Sequence, residues 1–205
     1  MTTYLDSPTD LLQIDERAQD LLFREARTAN TFTDEPVTDE QVQAIYDLVK
    51  WAPTSMNTQP LRVTLVRSDE ARARLVGHMS DGNKAKTGSA PLVAILSADT
   101  DFHELLPRTF PHFPGAKGMF SDDAAREGAA RANATLQTAY LILGVRAAGL
   151  AVGPMWGYDA EGIDRDFFDG TPQHVVAVLN IGRPGPDAWF DRSPRLEFDE
   201  VVTTV

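Results

Sequence analysis

Cysteine is absent from the 205 residues of the sequence. Its absence excludes disulfide bonds, thiolate nucleophiles, iron–sulfur clusters and zinc–thiolate sites, and it fits a protein that works in a reducing compartment. The first six residues contain no basic stretch followed by an apolar one, so we expect a cytoplasmic protein and not an exported one. No apolar run approaches the roughly 20 residues that cross a bilayer, and we therefore expect no membrane partner.

Positive charge is also scarce. Lysine and arginine number 19 against 30 aspartates and glutamates, which gives a formal net charge of −11 at pH 7. This excess of negative charge repels phosphate backbones over most of the surface, so we expect no nucleic-acid partner.

Several motifs that identify a reaction are missing. The sequence has neither a Gly-x-Gly-x-x-Gly fingerprint nor a P-loop, so it does not signal a tightly bound nucleotide of either kind. The Gly-x-Ser-x-Gly elbow of serine hydrolases is missing too. The four histidines are scattered and match no zinc spacing, so we predict no metal site.

Hydrophobic residues make up 42% of the chain, which is typical of a globular protein, and we predict one domain over residues 1–205. Apolar spacing predicts a first helix from about residue 7 to residue 29. A second helix begins at a capping box formed by Thr38 and Gln41 and ends before Pro53. Two further helices are predicted, over residues 69–79 and 121–149. The last of these is apolar on nearly all sides, so we expect it in the core together with its Tyr140.

Runs of apolar and β-branched residues predict strands over residues 63–66, 91–96 and 175–181. The second and third runs are almost continuously apolar, as in strands covered on both faces. They are therefore expected at the centre of a sheet.

Two segments fit neither a helix nor a strand. Residues 103–120 carry three prolines and several aromatic side chains, which is typical of a long loop that serves as a lid. The tail from residue 182 to residue 205 begins rich in proline and then becomes mildly apolar at Leu196, Phe198 and Val201. We expect this tail either to fray or to lie on another surface.

Hydrogen-bond donors gather at three places along the chain. These are Arg24, Arg27, Thr28 and Asn30 after the first helix, Ser55, Asn57 and Gln59 in one loop, and Arg192, Ser193 and Arg195 near the C terminus. In an acidic chain, local arginine clusters indicate a phosphate site, because guanidinium groups bind phosphate oxygens through paired hydrogen bonds. The alternative is that these arginines are solvated surface charges.

Four motifs together resemble the flavin-dependent nitroreductase family, and the resemblance covers nearly the whole chain. They are RTAN at residues 27–30, WAPTSMNTQP at 51–60, GPMWGYD at 153–159, and NIG at 180–182 followed by RSPR at 192–195. Three further stretches look like the branch that reduces malonic semialdehyde: LVKW at 48–51, LPRTFPH at 106–112, and RAN at 131–133 with Gln137.

The resemblance implies an α+β fold, a three-layer sandwich in which helices flank a central, mostly antiparallel sheet. It also implies a homodimer with an exchanged C-terminal segment. One FMN would be bound at each of two sites, and each site would be built from both chains.

The resemblance also implies roles for individual residues. Those near the FMN phosphate are Arg27, Thr28, Asn30, Arg192 and Arg195. The residues that reach the ribityl chain and ring edge from the other subunit are Ser55, Asn57 and Gln59. Those that line the ring system are Met155, Trp156 and Gly157, although the sequence around Trp156 equally suits a packing role.

The implied activity is FMN-dependent oxidoreduction in two half-reactions, in which NAD(P)H gives hydride to the flavin and leaves before a small electrophile accepts it. Reduction of malonic semialdehyde to 3-hydroxypropanoate is the favoured reaction, and reduction of nitroaromatics or quinones is the alternative. The residues of the lid that would bind substrate are Arg108, Phe113 and Lys117, with a cation facing the substrate carboxylate. Two other classes stay open: a flavin-binding protein without turnover, and an interaction module without a cofactor.

Overall fold

Four antiparallel strands form the central sheet of the computed structural model, which describes residues 12–205. They are β1 (Leu61–Val66), β2 (Leu92–Asp99), β3 (Ala151–Met155) and β4 (Gln173–Gly182). Their order in the sheet is β1-β2-β4-β3, and every neighbouring pair is antiparallel. The two strands predicted at the centre, β2 and β4, are the inner pair, which confirms that prediction.

Helices lie on both faces of the sheet. The α-helices are α1 (Glu16–Gln19), α2 (Asp39–Val49), α3 (Asp69–His78), α4 (Asp81–Ser89), α5 (Leu106–Thr109), α6 (Asp123–Ala147), α7 (Ala160–Phe167) and α8 (Phe198–Val201). A π-helical turn (Asp20–Arg24) directly follows α1, and three 3-10 turns cover Ser55–Asn57, Phe102–Leu105 and Ala116–Phe120. Within residues 12–205, no helix combines the length and the apolarity that a membrane crossing needs.

Alternate side chains of β2 enter two different cores. Leu92, Ala94 and Leu96 pack with side chains of α2 and α6, whereas Val93 and Ile95 pack with side chains of α3 and α7. This alternation follows from the two-residue period of a strand. The result is a helix–sheet–helix arrangement, which confirms the predicted α+β, three-layer architecture.

The start of α2 has the predicted capping box. The Thr38 hydroxyl accepts a hydrogen bond from the Gln41 backbone N–H at 3.2 Å, and the Gln41 side chain accepts one from the Thr38 N–H at 2.9 Å. Two N–H groups that have no partner inside the helix are satisfied in this way.

The first helix is shorter than predicted. It ends at Arg24 instead of residue 29, and its predicted first residues, 7–11, lie outside the described residues. The Ala29 N–H donates to the carbonyl of Val152 at 3.0 Å, and the Asn30 N–H donates to the carbonyl of Ala188 at 3.0 Å. These bonds to other segments replace the bonds that would have continued the helix.

Two further helices differ from the prediction. Helix α4 was not predicted at all, because Gly82, Gly88 and a largely polar sequence hide its pattern. Helix α6 lies close to its predicted bounds, but one face of it is open in the single chain: Leu136 is 52% exposed and Tyr140 is 41% exposed.

The aromatic lid segment is more ordered than predicted. Short helical turns occupy much of it, and Phe102 is buried edge-on against Phe120 with ring centroids 4.9 Å apart. Its middle, residues 111–115, is exposed. The lid is therefore anchored at both ends and open between them.

Candidate functional site

Residues 26–30 and 190–195 meet around a cavity of about 220 Å³, which we call the phosphate pocket. Its lining consists of Ala26, Arg27, Thr28, Asn30, Phe190, Asp191, Arg192, Ser193 and Arg195. The structure thus brings together all five residues that the sequence analysis assigned to a phosphate. The backbone bonds of Ala29 to β3 and of Asn30 to Ala188 hold the first segment against the sheet edge.

The three arginines of the phosphate pocket donate to backbone carbonyls. Arg27 Nη1 donates to Phe190 O at 3.3 Å, Arg195 Nη1 donates to Ser193 O at 2.8 Å, and Arg192 donates to the carbonyls of Arg24 and Ala26. In the described part of the chain none of the three forms an ion pair, and Asp191 is the carboxylate that lines the pocket. The three guanidinium groups have further N–H donors that are not used, and their positive charge exceeds the single negative charge of Asp191. This arrangement suits a phosphate group with nearly two negative charges.

The loop between α2 and β1 has an unusual backbone. Met56, Asn57 and Gln59 have φ of 50°, 52° and 46°, in the left-handed region that non-glycine residues seldom occupy. The Ser55 N–H donates to Asn133 Oδ1 on α6 at 2.8 Å. Asn133, which the sequence analysis named only within a motif of the resemblance, therefore holds this loop in place.

Two side-chain amides of the same loop donate hydrogen bonds to groups of the same chain. Asn57 Nδ2 donates to Thr109 O at 2.7 Å, and Gln59 Nε2 donates to Asn57 Oδ1 at 2.9 Å. Ser55 is exposed. Asn57 and Gln59 line a cavity of about 390 Å³ that shares no residue with the phosphate pocket. One chain alone does not bring the two sets of residues together, so their meeting across a dimer stays a prediction.

The third predicted group lies at the end of β3. Met155 is 3% exposed, and its Sδ accepts weak hydrogen bonds from Thr87 Oγ1 at 3.7 Å and Asn180 Nδ2 at 3.8 Å. Its side chain belongs to the core, which leaves only its backbone for a bound ring. Trp156 is 59% exposed and does not pack in the core of the single chain.

Gly157 is held by the neighbouring helix. Its carbonyl accepts hydrogen bonds from the Ser80 N–H at 3.0 Å and from Asn83 Nδ2 at 2.9 Å. A Cβ at this position would lie 2.8 Å from Asn83 Nδ2, so a side chain here would displace the Asn83 amide from its hydrogen bond to the Gly157 carbonyl. Next to it, burial raises the pKa of Tyr158 to about 12.

Sequence reasoning missed two polar residues of α4. Asn83 contacts Gly157, and Lys86, one turn further along, is half-buried and makes no ion pair within residues 12–205. The available signal was Ser80 followed by Asp81, a helix start with an acidic first residue.

The three lid residues have different surroundings. Arg108 and Phe113 are exposed, and no hydrogen bond or ion pair engages the Arg108 side chain in the described chain. Lys117 Nζ instead contacts Glu104 Oε2 at 2.5 Å. This hydrogen bond lowers the pKa of Glu104. Arg108 is thus a lid cation whose guanidinium group has no polar partner among residues 12–205.

Comparison with known proteins identifies the family. Residues 23–183 match the nitroreductase family. A Streptomyces coelicolor protein named as an NADH dehydrogenase/NAD(P)H nitroreductase is 69% identical over 195 residues, covering 95% of this chain and 99% of that protein. A Leptothrix cholodnii protein with the same name is 46% identical over 187 residues, covering 91% of this chain and 95% of that protein.

Solved structures show the same fold. The Bacillus subtilis nitroreductase ydfN has a TM-score of 0.82 at 21% identity, covering 90% of this chain and 97% of that one. An Exiguobacterium sibiricum nitroreductase solved with FMN has a TM-score of 0.82 at 20% identity, covering 94% and 99%. The predicted family and fold are both confirmed: the chain belongs to the nitroreductase family.

Proposed function

We propose that this protein binds FMN and passes hydride from NADH or NADPH to a small electrophile. The observation that carries the proposal is the phosphate pocket, in which Arg27, Arg192 and Arg195 converge without ion-pair partners among the described residues. The name of the Streptomyces coelicolor relative, an NAD(P)H nitroreductase, and the FMN in the Exiguobacterium structure support it.

The residues of this chain fit FMN in two ways. Arginine forks with nearby hydroxyl and amide donors, Thr28 and Asn30, match a phosphate monoester. The backbone at residues 155–157, where the Gly157 carbonyl accepts a hydrogen bond from Asn83 of α4, offers its other polar groups to a ring edge. FMN supplies the redox chemistry when bound, so the protein needs only to bind, orient and shield.

In this proposal the nicotinamide and the electrophile bind one after the other at the same site beside the flavin. A nicotinamide that leaves after each transfer needs no dinucleotide fingerprint, which agrees with the sequence. NAD(P)H supply and the absence of cysteine also favour a cytoplasmic location.

The proposed natural electrophile is malonic semialdehyde, whose carbonyl carbon takes the hydride and whose oxygen takes a proton from solvent. Its carboxylate needs a cation, and Arg108 is exposed and unengaged within residues 12–205, whereas Lys117 is paired with Glu104. The alternative electrophiles are quinones and nitroaromatics, and the word nitroreductase in the names of the relatives favours the nitroaromatics. These need no carboxylate grip.

We further propose that the protein works as a homodimer in which the C-terminal tail beyond Arg195 is exchanged, because residues 190–195 already line the phosphate pocket of their own chain. Trp51, on the loop after α2, is 79% exposed, and Leu136 and Tyr140 leave one face of α6 open in the single chain. Strand β1 is an edge strand with exposed Val63, beside an apolar groove of about 310 Å³ between α2 and the sheet. The apolar tail with Leu196 and Phe198 is uncovered in one chain. A second copy would cover these surfaces and bring the Ser55 loop to the flavin.

The test is optical. Freshly purified protein should show a flavin spectrum, and anaerobic NADPH or NADH should bleach it. Malonic semialdehyde, a nitroaromatic and a quinone are then compared for their rates of restoring the colour. Colourless protein that takes up no added FMN would contradict the proposal, and yellow protein that neither nucleotide bleaches would indicate a flavin carrier or sensor.

A further inference from the structure

Arg146 lies in the last turn of α6 and is not among the residues that line the phosphate pocket. Its Nη1 donates to the carbonyl oxygen of Leu22 at 3.0 Å, within the π-helical turn Asp20–Arg24. Carbonyls at the C-terminal end of a helix lack partners inside that helix. Arg146 therefore supplies from another helix a partner that this helix end needs.

Burial of the Arg146 guanidinium group costs free energy. The side chain is half-buried, and burial lowers the pKa of Arg146. Within residues 12–205 it has no ion pair, and its buried Nε has no hydrogen-bond acceptor. Because an unpaired buried cation is unfavourable, the hydrogen bond to Leu22 is the polar contact that offsets the cost. The arginine is thus committed to holding the end of the π-helical turn.

The segment held in this way carries the phosphate ligands. From the π-helical turn the chain runs directly into Arg27 and Thr28, and it is fixed again where the Ala29 N–H donates to Val152 O at 3.0 Å. Arg146 and β3 therefore fix the phosphate-binding segment at its two ends.

A second cavity makes the segment sensitive to Arg146. This cavity, of about 190 Å³, is lined by Arg146 and by Arg27, and Arg27 also lines the phosphate pocket. Removal of the Arg146 side chain would enlarge the space behind Arg27, into which the segment could move.

We infer that Arg146 is a positioning residue for the phosphate site: it does not touch FMN, and it holds the segment that presents Arg27 and Thr28. The inference rests on the proposed function. It concerns only the phosphate end of the site, so it predicts a loss of affinity for FMN that riboflavin, which has no phosphate, does not share.

The test compares dissociation constants of FMN and of riboflavin for flavin-stripped, full-length protein, followed by fluorescence quenching. For Arg146→Met we expect FMN binding to weaken about tenfold and riboflavin binding to change less than about twofold. Arg146→Lys keeps a cationic donor group and should weaken FMN binding only about threefold. The matched control is Arg165→Met, which removes an exposed arginine from the last turn of α7 and should change neither constant.

The outcomes separate the inference from the proposed function. Wild-type protein that binds no FMN contradicts the function itself. Wild-type protein that binds FMN, with an Arg146→Met variant that binds it equally well, shows that the inference is wrong. Equal weakening for FMN and riboflavin also overturns it, because it indicates a general structural role. If Arg146→Met does not fold, Arg146→Lys decides by the same comparison: an unchanged ratio of the two constants overturns the inference.

Discussion

Arg27 and Arg192 each bind the backbone of the segment that carries the other. Arg27 Nη1 donates to Phe190 O at 3.3 Å, and Arg192 Nη2 donates to the carbonyl of Arg24. The phosphate pocket therefore forms only when the C-terminal segment lies against the end of the first helix. A phosphate ligand that binds both arginines should stabilise this contact, so flavin binding and docking of the C-terminal segment should be linked.

The first prediction concerns the phosphate grip. Arg27→Ala should weaken FMN binding by about ten- to a hundredfold, because a charge-assisted hydrogen bond is worth on the order of 1.5–3 kcal/mol. Fluorescence titration of stripped protein measures the change. Arg183→Ala is the control, because Arg183 is an exposed arginine that pairs with Glu35 outside the phosphate pocket. Equal FMN affinity in the wild type and Arg27→Ala would remove Arg27 from the phosphate site.

The second prediction separates the substrates. Arg108→Ala should lower kcat/KM for malonic semialdehyde about tenfold or more and leave kcat/KM for a quinone nearly unchanged, since only the first substrate has a carboxylate to bind. Lys117→Ala is the comparison, because Lys117 is already engaged by Glu104 and should affect both substrates little. A parallel loss for both substrates in Arg108→Ala would show that Arg108 supports the lid and not the carboxylate.

The third prediction concerns the strained loop. Asn133→Ala removes the acceptor of the Ser55 N–H and should lower the free energy of unfolding by about 1–2 kcal/mol. Urea denaturation measures the loss. Thr135→Ala, on the exposed face of the same helix, is the control for helix effects. A stability equal to wild type in Asn133→Ala would mean that the loop does not depend on this bond.

Much of the fold could be predicted because local signals agree with the tertiary structure. The Thr38–Gln41 capping box and the apolar runs of β2 and β4 are such signals. Helix α4 could not be predicted, since its glycines weaken its helical pattern and Asn83 ties it to a distant segment. The end of the first helix was missed for a similar reason, because Ala29 bonds to β3.

The candidate site, like the fold, has features that the sequence predicts and features that it does not. Arginines of the phosphate pocket could be identified from motifs, whereas the pairing of Lys117 with Glu104 depends on a lid that has no periodic pattern. The left-handed Met56 gave no signal either, because a methionine does not mark that conformation as a glycine does. Asn133 was indicated by resemblance, and only the structure shows that it holds the Ser55 loop.

The fourth prediction concerns alkaline pH. The pKa of Tyr158 is raised by burial to about 12, so the folded state keeps the phenol proton that the unfolded chain releases near pH 10. The contribution of Tyr158 to the free energy of unfolding is therefore fully present below about pH 10, and it is lost as the pH rises towards 12. Because the ring is partly exposed, we expect a loss of about 1–2 kcal/mol.

Tyr158→Phe removes that proton and should make the free energy of unfolding less dependent on pH between about 10 and 12 than in the wild type. Urea denaturation at several pH values in this range measures the difference. Tyr46→Phe is the control, because Tyr46 is an exposed tyrosine of α2. Identical pH profiles for the wild type and Tyr158→Phe would contradict the assignment.

The fifth prediction concerns assembly, and it uses two variants that separate the roles of the C-terminal segment. Truncation after Asp191 removes both terminal arginines and the apolar tail, so it should yield a less dimeric protein with little bound flavin. Replacement of Leu196, Phe198 and Val201 by serine leaves Arg192 and Arg195 in place. This triple substitution removes exposed apolar surface, whose burial in a dimer would contribute about 25 cal/mol per Å². It should therefore weaken dimerisation more than it weakens flavin binding.

Sedimentation velocity at several protein concentrations, with and without added FMN, distinguishes these effects. If each flavin site needs both chains, added FMN should restore dimers of the serine variant at concentrations where the stripped variant dissociates, because a ligand of the dimer stabilises the dimer. The truncated chain lacks the arginines and should not respond in this way. A truncated chain that stays dimeric and keeps full flavin occupancy would refute both the covering role of the tail and the grip of the terminal arginines.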